Sequence, residues 1–268
     1  MVAAFGLALG LGLAFGGGSA RAWGPAAQQA VVAKAIDTLP KGLKPFYKAH
    51  RLEMPSLALE PSFPEDSPER RFAVDRLLAW PFADLPHTEK ALVAKYGERA
   101  EGIGRLPWLI REGYARLVEG FKAQDKVKVL TESDALALLV ADLHNPFALT
   151  DNFDGQKTEQ HGLWIRSSVK AVEAMKAHLR VDPDPAVYLD DPQEYVFSIL
   201  VASYVWLDNL LYADELAKRG KQGYGEIFFE SFELRAGRLI GERLGRAAED
   251  AGSFWYTAWT VAGRPELK

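Results

Sequence analysis

The chain has 268 residues, a formal net charge of −4, no cysteine and a hydrophobic fraction of 48%. That apolar content suffices for a sizeable core in one large domain or two small ones, and one domain is the simpler reading. Without cysteine there are no disulfide staples and no thiol catalysis. A mildly acidic chain that lacks a basic block is not expected to bind nucleic acid strongly, because phosphate neutralisation needs clustered Lys and Arg.

In chain order, residues 2–15 read VAAFGLALGLGLAF and are followed by GGGSARA. An apolar run of this length with a small-residue Ala20-Arg21-Ala22 site after it has the form of a secretory signal peptide over residues 1–22. The run is short for a spanning helix, and an uncleaved anchor is the competing reading. No Lys or Arg precedes the run, which leaves the translation start open. Later segments are interrupted by charge, so an integral membrane protein is not expected. The working chain would be 23–268, exported to a periplasmic or extracellular space.

Apolar periodicity from there on is helical, and no pair of alternating runs is joined by an Asn-Gly or Asp-Gly turn. The expected fold is therefore all-α, a single multi-helix domain. A first helix begins at Pro25, a favourable first-turn residue, and ends at Pro40-Lys41-Gly42. A second starts near Lys44. Residues 54–69 hold four prolines and read as an ordered crossing segment. Helical spacing returns from Glu89, then in PWLIREGYARLVEGFKAQ, then in SDALALLVADLH with Ser133 as the expected N-cap. A loop spans about 145–160. Helices follow over about His161–Leu179, Gln193–Arg219 and Ile227–Asp250. The aromatic tail Phe254, Trp255, Tyr256 and Trp259 fits a packing edge of the last helix better than a lipid-facing surface.

The stretch of residues 135–164 carries the chemistry. Asp142 ends a run in which Ala135 to Ala141 are all apolar, so the helix is expected to be buried all round. A buried carboxylate is costly unless it is paired or bound to metal. His144 and His161 lie close by in sequence, and each taken singly fits a structural histidine.

Three matches then resemble the superfamily of zinc-dependent phospholipases C and single-strand-specific zinc nucleases. They are a Trp23-Gly24 N-terminus after the cleavage site, Ala141-Asp142-Leu143-His144-Asn145-Pro146, and Glu159-Gln160-His161-Gly162-Leu163-Trp164. A fainter fourth runs from Glu233 to Ile240. The resemblance implies that Trp23, Asp142 and His161 are metal ligands. It also implies that Asp142 and His161 carry catalysis in any active form. His144 matches a family residue that is not itself a ligand. In such a centre three zinc ions polarise a phosphodiester and activate a water.

The departures are extensive. By the same alignment the other ligand positions fall at Gln28 or Gln29, at Leu59 or Glu60, and at Arg71, Leu138, Ala148 and Ile165. Few of these side chains bind zinc well. Asp151, Asp154, Glu159, His50, Glu53, Glu60 and His87 are the residues available to rescue a smaller site. Arg71 is expected beside Asp142, its guanidinium replacing metal charge. The leading expectation is a non-catalytic binding or structural protein on a scaffold of this type, with zinc at reduced stoichiometry or none. The alternative is a metal-dependent phosphodiester hydrolase with a rearranged site. A phosphoester or lipid headgroup is the expected ligand class in either case.

Overall fold

The computed structural model describes residues 22–63, 65 and 67–267. Of the signal-peptide reading only Ala22 falls within these; the remainder of 1–22 lies outside the described residues. Among the described residues the secondary structure is helical and contains no strand, so the fold is all-α.

The helices are α1 (Pro25–Thr38), α2 (Lys44–Ala49), α3 (Glu89–Tyr96), α4 (Leu106–Ala123), α5 (Lys126–Leu143), α6 (Ala171–Met175), α7 (Pro192–Tyr204), α8 (Leu207–Lys218) and α9 (Glu226–Val261). A π-helical turn, Ile165–Lys170, leads into α6. Short 3-10 turns, among them Pro55–Leu57 and Pro68–Arg70, order the proline-rich crossing between α2 and α3. Proline fixes φ in such turns and forbids a continuous helix, as the sequence requires.

The 36-residue α9 is the spine, and α1, α4, α5 and α8 pack on it. Its C-terminal half contains the aromatic residues read as a tail. Phe254 and Trp255 are fully buried there, and burying each stabilises by roughly 2 kcal/mol. Trp255 stacks on Tyr47 of α2 at 4.8 Å and donates its indole N–H to the Ser133 carbonyl at 3.0 Å. Three helices meet at this point. Ser133 is accordingly no N-cap: α5 starts at Lys126, capped by Asp125, whose carboxylate accepts the Lys128 N–H at 3.0 Å. The Ser133 hydroxyl instead shares a 2.6 Å hydrogen bond with the buried Tyr47 hydroxyl.

The expected single helix over 193–219 is two, broken at Val205-Trp206. This stretch is more apolar than the sequence reading allowed, since Pro192–Lys218 contains an 18-residue window of mean hydropathy 1.5. Almost half of that window is buried in the protein, and Val196, Phe197, Ile199 and Leu200 form its inward face. An integral membrane protein is not indicated.

Between α6 and α7 the chain runs extended along α9, where a row of small residues lets it approach. A Cβ added at Gly241 would fall 2.3 Å from the Arg180 carbonyl oxygen, and one at Gly245 3.3 Å from that of Asp182. The strap is then tied to α9 hydroxyls, with Val187 N–H donating to Ser253 Oγ at 3.0 Å and Leu189 N–H to Thr257 Oγ1 at 2.9 Å. Pro183 and Pro185 favour the extended backbone that this path needs.

Candidate functional site

The last turn of α5 and the residues after it bring together most of the motif. Trp23 is fully buried and donates its indole N–H to the Ala141 carbonyl at 2.8 Å, placing the segment before α1 against the turn that carries Asp142. Gly24 N–H donates to the Ser168 carbonyl at 3.1 Å, and a Cβ there would lie 2.9 Å from Val169 Cγ1. The Asn145 amide donates both to the Ala22 carbonyl and to Ser168 Oγ, while its oxygen accepts the Phe147 N–H and caps the 3-10 turn Pro146–Leu149. The Ala148 carbonyl accepts the Phe72 N–H at 2.7 Å. Ala141, Asn145, Ser168 and Val169 thus form a socket around Ala22, Trp23 and Gly24.

Asp142 is fully buried, and Arg70 places Nε 2.8 Å from its Oδ2, with Nη2 on the same oxygen. The cation beside Asp142 is therefore Arg70, one residue away from the expected Arg71. Arg70 ends a 3-10 turn and Arg71 follows with extended backbone, so successive side chains leave in different directions. The Arg71 guanidinium lies over the Phe153 ring at 4.2 Å and the Trp164 ring at 5.3 Å, a cation–π arrangement.

His144 is buried on the other side of the same turn. Its Nε2–H donates to Asp250 Oδ2 at 2.8 Å, and Tyr195 donates its hydroxyl to Asp250 Oδ1 at 2.9 Å. Burial lowers the His144 pKa, Asp250 opposes that shift, and the nearby Arg243 and Arg246 reinforce it. The imidazole thus serves as a neutral donor that ties α5 to α9.

His161 stands apart from this cluster. It is exposed, and its backbone carbonyl accepts a hydrogen bond from Arg166 Nη1 at 3.0 Å. Arg166 also holds Asp214 through two bonds of 2.8 and 3.0 Å, under the Tyr224 ring at 3.9 Å. The preceding loop is shaped by Asp154, which accepts the Gly162 and Trp164 N–H groups.

The remaining rescue candidates are engaged or remote from Asp142. Asp151 pairs with Lys157 at 2.6 Å, and His50 with Glu53 at 2.6 Å. His87 bonds Glu194 and stacks on Phe197 at 3.9 Å. Glu60 and Glu159 are exposed. Gln28, at a position aligned with a ligand His, is fully buried with no partner for either amide atom. Among the described residues no group of three or more His, Cys, Asp or Glu is arranged to hold a metal ion.

As arranged, the site holds a buried carboxylate neutralised by a guanidinium, beside the buried Trp23. Arg70, Asn145, Asp250 and Tyr195 escaped the sequence reading. Only Asn145 lay inside a motif; the others reach the site across dozens of residues with no local signature. No family model and no curated protein matches this chain.

Proposed function

We propose that the chain is an exported binding or structural protein on a scaffold of the zinc-dependent phospholipase C and zinc nuclease type, with its metal centre replaced by an ion pair. The Arg70–Asp142 pair carries this reading. A dication at Asp142 would have to displace or repel a guanidinium that already holds Oδ2, in a setting where like charges are poorly screened. Zinc therefore does not fit the donor set as it stands, and no hydrolytic step is assigned to Asp142 or His161.

The stretch Ala141 to Pro146 then has a folding role, which is to seat Trp23. Because the Ala22–Trp23 bond is itself buried in the socket, any cleavage there would have to precede folding. A phosphoester or lipid headgroup remains the ligand class to try first.

One observation favours the hydrolase reading. Trp23 lies beside the Asp142 turn, where a free α-amino group at that residue could act as a ligand. Turnover of bis(4-nitrophenyl) phosphate by the form beginning at Trp23, with and without added zinc, separates the two. No turnover is expected; turnover lost in Asp142→Ala would establish the hydrolase.

A further inference from the structure

A groove of about 820 Å³ lies between α9 and the start of the strap, well within the size range of ligand sites. We propose that it binds a long-chain aliphatic amine, with the alkyl chain along its floor and the ammonium head at its carboxylate rim. Nothing in this proposal depends on the fate of Asp142, since the groove shares no residue with that cluster.

Gly237 leaves α9 without a side chain at the floor, with Met175 Sδ 3.6 Å from where a Cβ would stand, and Leu179 and Leu234 add apolar lining, while at Gly241 the strap's Arg180 carbonyl closes the groove. At the rim Leu234 is 86% exposed. Large apolar groups left in water beside a concave apolar surface mark a place where an apolar ligand gains contact. No Phe, Tyr or Trp lines the groove, and its one ring, His178, faces Glu233, so the apolar complement of Met175, Leu179 and Leu234 is a flexible aliphatic chain.

Charge sets the head group. Four carboxylates line the groove, those of Asp182, Glu230, Glu233 and Glu242, against the two guanidinium groups of Arg180 and Arg238. Arg238 is taken up by Glu242 at 2.8 Å, and Glu233 faces His178 Nδ1 at 3.4 Å. Glu230 lies one turn before Glu233 and enters no ion pair among the described residues. Arg180 enters no ion pair among the described residues either, but the four carboxylates outnumber the two guanidinium groups, so a cation at this rim gains net attraction and an anionic head net repulsion.

The test is titration calorimetry of the purified chain with dodecylamine below its micellar concentration. Dodecanoate and dodecyl maltoside, which carry the same chain, serve as comparators. One saturable site is expected, at least tenfold tighter for the amine than for either comparator. Glu230→Gln combined with Glu233→Gln should weaken it at least fivefold. Gly237→Leu, which fills the floor, should abolish binding; Leu234→Ser, at an exposed position, should weaken it and is the readout if Gly237→Leu lowers the melting temperature. Absence of saturable amine binding, equal binding of dodecanoate or the maltoside, or amine binding unchanged in the carboxylate and floor variants would overturn the proposal.

Discussion

Arg70 donates two N–H groups to a single oxygen of Asp142, across 72 residues of chain, with the carboxylate fully buried and the Arg70 side chain 11% exposed. Removing one partner of such a pair strands the other charge in the interior. Arg70→Ala and Asp142→Ala are each expected to destabilise the fold by about 3–5 kcal/mol. The double variant Arg70→Met with Asp142→Leu should recover most of that loss, because no buried charge remains. Urea unfolding of the four proteins reads this directly. Additive losses would show that the pair does not act as a unit.

Trp23 should matter to stability through its indole N–H as well as its bulk. Trp23→Phe keeps most of the ring volume but removes the bond to the Ala141 carbonyl, at a cost of about 1–2 kcal/mol. Trp23→Ala also leaves a cavity and should cost about 3–5 kcal/mol. Thermal melts of both variants test the ordering, which would be contradicted if Trp23→Ala melted with the parent protein.

The strap makes a sharp steric prediction on one helix face. Gly241→Ala sets a Cβ 2.3 Å from the Arg180 carbonyl oxygen, so the strap must lift. Gly237→Ala meets only the Glu233 side chain at 3.2 Å and Met175 Sδ at 3.6 Å, and gains helix propensity of about 1 kcal/mol. Limited proteolysis should cut Gly241→Ala within residues 176–190 faster than the parent, and leave Gly237→Ala unchanged.

Asp134 gives the fold a pH dependence of definite sign. Its carboxylate is buried and accepts the Ser56 N–H at 3.1 Å and the Ser56 hydroxyl at 2.8 Å, and burial outweighs those bonds to push its pKa up to about 6. The folded state therefore holds the proton more tightly than the unfolded chain, whose Asp titrates near 3.8. The stability this confers is fully present below about 3.8 and is lost as pH rises through about 6, a total of roughly 3 kcal/mol. In urea midpoints taken from pH 4 to 7, the difference between the parent and Asp134→Asn should change by that order and then level off. A flat difference would contradict the assignment.

How much of this was legible in the sequence depended on the range of each signal. Pro25 and the Pro40-Lys41-Gly42 stop mark α1 locally, and the apolar run into Asp142 announced a buried helix end. Ser133 misled because Lys126 and Lys128 make the true first turn of α5 look like a loop, and its Asp125 cap was passed over. The shift from Arg71 to Arg70 follows from one 3-10 turn, which periodicity cannot resolve. Asp250 serves His144 from 106 residues away, and Gly241 serves an extended strap with no periodic pattern of its own. Side chains used between distant elements carried no mark that a single chain could show.

Zinc content bears most directly on the proposal that Arg70 stands in for a metal at Asp142. The form beginning at Trp23 is dialysed against excess zinc, washed free of unbound metal, and measured for zinc per chain by elemental analysis beside Asp142→Ala. Far less than one zinc per chain is expected in both proteins. Stoichiometric zinc in the parent that disappears in Asp142→Ala would contradict the replacement and return Asp142 to the role of a metal ligand.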